Sequence, residues 1–106
     1  MWIFLPDSFL SIVADKDDPT GDRLLVRARR KGDIEKVFPY SKVIALAGSD
    51  YAFRAWVPRS EVAQVIASQV ESIDYSNFKN SITNNDYHDA ALSVWSVMWG
   101  IQHKSD

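Results

Sequence analysis

Cysteine is absent from the 106-residue chain. That excludes disulfides, thiolate nucleophiles and the cysteine-ligated zinc and iron–sulfur sites together. Histidine is scarce, with His88 and His103 the two in the sequence. No G-x-S-x-G elbow, Walker-type phosphate loop or dinucleotide fingerprint occurs. With the usual nucleophile and base missing, spacing singles out no Ser, Lys or Tyr arrangement either. No catalytic, cofactor-binding or metal-ligating residue is assigned, and an enzyme is not expected. Charge of one sign is also missing. The formal net charge is -2, so the broad basic character of a dedicated nucleic-acid binder is lacking and only a local patch is open to it. No apolar run approaches the length of a membrane span, and no membrane association is expected. The N-terminal stretch MWIFLPDSFLSIVADKDD is apolar, but no Lys or Arg precedes its apolar run and Pro6-Asp7-Ser8 interrupts it. It is therefore not expected to act as a signal peptide, and a cytoplasmic location is the expectation.

What is present is the balance of a globular domain. Hydrophobic residues make up 46% and charged residues 25%, which argues against disorder and fits a single domain spanning 1–106. Trp2 to Leu5, the turn Pro6-Asp7-Ser8 and Phe9 to Ala14 read as an N-terminal hairpin. Asp15 to Asp22, DKDDPTGD, reads as a solvated loop. Its four aspartates lack the spacing of an EF-hand calcium loop. Leu24 to Arg30 alternates, with Val26 and Ala28 on one face and Arg27 and Arg29 on the other. Gly32-Asp33 opens a short helix that Asp33 is placed to cap, with Ile34, Val37 and Phe38 as its apolar face and Pro39 at its end. Val43 to Ala47 is apolar throughout and suits a strand covered on both faces. A tight turn at Gly48-Ser49-Asp50 leads to Tyr51–Val57, which places Tyr51, Phe53, Ala55 and Val57 opposite Arg54 and Trp56.

Helices follow. After Pro58, the residues Val62, Val65, Ile66, Val70 and Ile73 keep helical spacing. In SIDYSNFKN, Ser72 to Asn80, the cluster of polar and aromatic groups looks like a small site. It reads better as a helix start over Tyr75 to Ile82, with Asp74 as N-cap and Ile73 and Phe78 at the spacing of a hydrophobic staple. Asp86 is placed to cap the last helix, whose apolar face carries Tyr87, Ala91, Val94, Trp95, Met98 and Ile101. Trp95 falls on the expected core side and Trp99 towards its edge. His88, flanked by Asp86 and Asp89, reads as part of an acidic helix start. The expected fold is α+β. It has an antiparallel sheet of about five strands, built from the hairpin and a strand–helix–hairpin–helix unit, packed on helices, with two further C-terminal helices.

Two surfaces stand out. Arg27 and Arg29 share one side of a strand, and Arg54 and Trp56 share one side of another. If both sides belong to one sheet face they form a basic, partly aromatic platform of the kind that binds single-stranded nucleic acid. The plainer reading is a solvated sheet face with cross-strand ion pairs. Trp99 is the exposed aromatic that would mark a protein interface. Arg27, Arg29, Arg54, Trp56 and Trp99 are thus the candidate binding residues.

The segments Met1-Trp2-Ile3-Phe4, Asp50-Tyr51-Ala52-Phe53-Arg54, Asp74-Tyr75-Ser76-Asn77-Phe78-Lys79 and Val94-Trp95-Ser96-Val97-Met98 together resemble a family of small bacterial proteins, some carried on phage or other mobile elements. The resemblance spans nearly the whole chain. It implies no activity, ligand or site, and adds weight to a host-interaction role. The expected function is a non-enzymatic domain that binds a protein partner, either itself as a homodimer or, as a phage- or mobile-element-borne inhibitor, a component of a host system. The alternative is a nucleic-acid-binding module using the basic and aromatic sheet face.

Overall fold

The computed structural model describes residues 1–104. These form two compact units, Met1–Ile73 and a second from Asp74 onward. The fold is α+β, with five antiparallel strands and four helices among the described residues.

The first unit begins with the hairpin β1 (Trp2–Leu5) and β2 (Ser8–Ala14), joined by Pro6-Asp7. β3 (Arg23–Ala28), the one-and-a-half-turn helix α1 (Asp33–Val37), the two-residue strand β4 (Ile44–Ala45), β5 (Phe53–Pro58) and α2 (Arg59–Glu71) follow. The strand order is β1-β2-β3-β5-β4, and every neighbouring pair is antiparallel. Strand side chains alternate between faces, so the register decides which residues meet the core. Val26 pairs with Ile12 on one side and Ala55 on the other, while Leu24 pairs with Val57. These residues turn to the same side with Leu10 and Ala28. There Ile34, Val37 and Phe38 of the α1 region and Val62 of α2 close over them.

Helix α1 departs from the expected capping. Gly32 holds the N-cap position at φ +94°, a conformation that penalises any side chain. Asp33 is thereby released from capping and points inward. It is 1% exposed. Its Oδ2 accepts from the Phe9 N–H at 3.1 Å and from Arg30 Nε at 3.1 Å. Arg30 and Lys36 also donate to the Asp7 carbonyl, so one network ties the first hairpin turn to α1.

The loop 15–22 is less solvated than its composition suggests. Asp15 is buried and pairs with Arg23 Nε at 2.6 Å. Its carboxyl accepts from the Asp17 N–H, which holds its pKa below the ordinary aspartate value, with Arg23 acting the same way. Asp18 is lowered first by the Thr20 hydroxyl and then by the Arg23 N–H. Two of the loop's four carboxylates, Asp15 and Asp18, are thus turned onto nearby backbone N–H groups.

The expectation of a doubly covered strand at Val43–Ala47 is not met. Only Ile44 and Ala45 pair, at the sheet edge, and both are exposed. An unbroken apolar run suits a central strand, but here chain order brings β5 against β3 and leaves β4 outside. The connection is also longer than a tight turn. Leu46 N–H bonds the Ala52 carbonyl at 2.7 Å, enclosing a loop in which Gly48 takes φ +83°. Tyr51 lies in that loop, before the strand begins, and so leaves the alternation that Phe53, Ala55 and Val57 keep. Helix α2 ends at Glu71, short of Ile73, and both Ile73 and Val70 of its last turn are exposed.

In the second unit, α3 (Phe78–Ser81) is a single turn and α4 (Asn85–Gln102) has 18 residues. Asp74 does not cap. Asn77 does so for α3, accepting from the Asn80 N–H at 3.2 Å, and Asn84 for α4, accepting from the Tyr87 N–H at 2.9 Å. The cap lies three residues beyond Asp74, so Ile73 and Phe78 do not hold the positions of a hydrophobic staple. Phe78 meets Tyr75 edge-on instead, with ring centroids 5.7 Å apart. Asp86 stands in the first turn of α4, where its charge favours the helix dipole.

Candidate functional site

The five candidate residues fall on two surfaces. Arg27, Arg54 and Trp56 lie on the sheet face opposite the core. Register places Arg27 directly across from Arg54, and Leu25 across from Trp56. The lateral row through this point runs Trp2, Ser11, Arg27, Arg54, Ile44. Arg29 stands just past the end of β3. The ring of Tyr51 binds the basic residues together, with Arg27 Cζ 4.5 Å and Arg29 Cζ 4.3 Å from its centroid. Tyr51 is buried, so these cation–π contacts are partly desolvated. Sequence reasoning gave Tyr51 to the core face. The signal for its true place is the turn residues Gly48-Ser49-Asp50, which delay the strand.

Hydrogen bonding on this face is sparse. Arg27 Nη2 donates to Ser11 Oγ at 2.9 Å, and Arg54 Nη2 to Ser49 Oγ at 2.7 Å. Arg29 donates to the Asp50 carbonyl at 3.0 Å and lies 3.5 Å from its carboxylate, an exposed pair of little energetic weight. The Nε groups of Arg27 and Arg54 are buried and donate to nothing among the described residues. Aromatic groups border the row. Phe4 stacks on Phe9 with centroids 4.5 Å apart, Trp2 meets Phe9 edge-on, and Trp2 and Trp56 are 69% and 39% exposed.

Trp99 belongs to the second surface, on α4. The buried residues of this helix stop at Tyr87 and Ala91. At 1.5 Å per residue α4 is about 27 Å long and α3 about 6 Å. The single turn of α3 is far too short to cover the stripe within its own unit. Trp95, expected on the core side, is instead 49% exposed, together with Val94, Val97, Met98, Trp99 and Ile101. On a helical wheel the apolar residues sweep more than half the circumference, leaving a narrow strip of Asp89, Ser93, Ser96 and Gly100. Trp95 stacks on Trp99 with centroids 5.5 Å apart, and the His103 ring lies tilted by 42° against Trp99 at 4.0 Å. Lys79 lies 5.2 Å from the Trp95 ring centroid. Trp95, Met98, Trp99, Ile101 and Gln102 line a shallow open depression of about 410 Å³.

Neither surface carries a nucleophile beside a base. His88 Nδ1 is 3.9 Å from the Asp89 carboxylate on the outside of α4, beyond hydrogen-bond reach. Among the described residues no cluster of three or more His, Asp or Glu is placed to hold a metal ion, and no helix is long and apolar enough to cross a membrane. No family model, curated protein or solved structure matches this chain.

Proposed function

We propose that the protein is a non-enzymatic binding domain for a protein partner and that the apolar arc of α4 is its docking element. One observation carries the reading: six large apolar side chains between Val94 and Ile101 stand 41–67% exposed on one helix. Contiguous exposure of this kind marks interaction surfaces. Trp and Met are enriched at interface centres, where rigid rings and an adaptable thioether fill pockets. No charged residue occurs from Ala90 to Gln102, so the matching surface is apolar and uncharged, laid along the helix as in helix-in-groove recognition. The α4 helix of a second copy meets that specification without like-charge repulsion. Inhibition of a host system, with this protein borne on a phage or mobile element, is the narrower form of the proposal and rests on the segment resemblance.

Light scattering across a concentration series of the full chain tests it, compared with a Trp95→Asp/Trp99→Asp variant. Wild type is expected to self-associate and the variant to remain monomeric, with unchanged circular dichroism. A wild type that stays monomeric, and that retains from bacterial lysate no protein which the variant fails to retain, would overturn the reading.

A further inference from the structure

We propose that the open sheet face of the first unit binds single-stranded nucleic acid, with a phosphate seated between Arg27 and Arg54 and a base stacked on Trp56. This surface lies outside the α4 reading and stands independently of it.

The argument starts from an uncompensated charge pair. Arg27 and Arg54 are cross-strand partners on one face. Like charges in that position repel and weaken a sheet, and proteins ordinarily place a carboxylate beside them. Among the described residues neither arginine has an ion pair. Their polar partners are the neutral hydroxyls of Ser11 and Ser49, and each Nε is buried without an acceptor. Tyr51 packs against Arg27 and restrains it. Two cross-strand arginines without a carboxylate partner, each tethered through one Nη2 to a neutral hydroxyl on the outer side of the pair, leave guanidinium donors for an anion, and a phosphate oxygen pair matches the planar donor geometry of arginine.

The surroundings select which anion. Trp56 follows Arg54 by two residues, so it stands on the same face, and it is partly exposed. Trp2 lies in the same lateral row as the two arginines and is the more exposed of the two. Strands are spaced about 4.8 Å apart, which puts Trp2 roughly 10 Å from Arg27. A basic centre flanked by accessible indoles suits a ligand with a charged backbone and splayed flat groups, which is a single strand and not a stacked duplex. The chain's net charge of -2 gives no general attraction for phosphate, so binding is local and involves two or three contacts.

Fluorescence anisotropy of a labelled oligothymidine of about a dozen nucleotides, titrated with the full chain at low salt, tests this. Expected is binding whose logarithm falls against log salt with a slope of about -1.4 to -2. Arg27→Gln/Arg54→Gln should weaken it at least tenfold and flatten the slope. Trp56→Ala should weaken it about five- to hundredfold with the slope retained. Thermal melts of each variant confirm folding. Arg54→Lys, which keeps the charge, should retain most of the slope. Absence of salt-sensitive binding by folded wild type overturns the proposal. So does equal affinity for duplex, or stabilisation by inorganic phosphate without any binding of the oligonucleotide.

Discussion

Alanine at position 33 is expected to lower stability by about 2–3 kcal/mol. Asp33 is fully buried, and its Oδ2 accepts from the Phe9 N–H and from Arg30. Deleting the carboxylate strands a backbone donor inside the hairpin. It also leaves Arg30 and Lys36 without their anion, although both are partly exposed and water recovers part of that loss. Lys36 Nζ stands 3.8 Å from Oδ1, close enough for charge attraction but too far for a hydrogen bond, and Oδ1 is buried without a donor. Asparagine, which keeps an acceptor for Phe9, should cost only about 1 kcal/mol. Urea titrations should show a lower midpoint with an unchanged slope. Equal midpoints for Asp33→Ala and wild type would mean that the network linking Asp7, Arg30, Asp33 and Lys36 adds nothing to the fold.

A larger loss is expected from Phe38→Ala, about 3–5 kcal/mol, because the ring is 1% exposed and sits where α1 closes on the sheet. For a domain of this size the melting temperature should fall by on the order of 20 °C. The instructive comparison is Trp99→Ala. It removes a bigger ring, yet that ring is 50% exposed, and the expected change is about 1 kcal/mol or less. Calorimetry at low protein concentration reads both variants. If Trp99→Ala proved as damaging as Phe38→Ala, the α4 arc would be covered in the isolated chain and its assignment as a docking surface would fail.

Much of the first unit was legible in the sequence because its strands are covered on one side. Val26 and Ala28 against Arg27, and Ala55 and Val57 against Arg54 and Trp56, keep a strict period of two, and each falls on the side the alternation assigns. Register was not legible, since it depends on which strands meet. It is register that places Arg27 opposite Arg54. Strand β4 misled for a related reason. VIALA has the composition of a buried strand, but burial is decided by sheet order, which local composition does not carry. Capping misled because several polar residues near a helix start are chemically able to cap. Asp33, Asp74 and Asp86 each had a neighbour, Gly32, Asn77 or Asn84, that the backbone path favoured. Trp95 was assigned to the core because a helical stripe implies something to pack against. The stripe is real, and what lies against it was the part that spacing does not state.

The tryptophans make the molecule self-reporting. All four, Trp2, Trp56, Trp95 and Trp99, are at least 39% exposed, whereas in most small domains some indoles are sealed inside. Emission of the monomer should therefore already sit near the red end of its range, making tryptophan fluorescence a poor monitor of its denaturation. The same property makes it a good monitor of occupancy. Anything that settles over either surface dries an indole and moves the emission to the blue, without an added label.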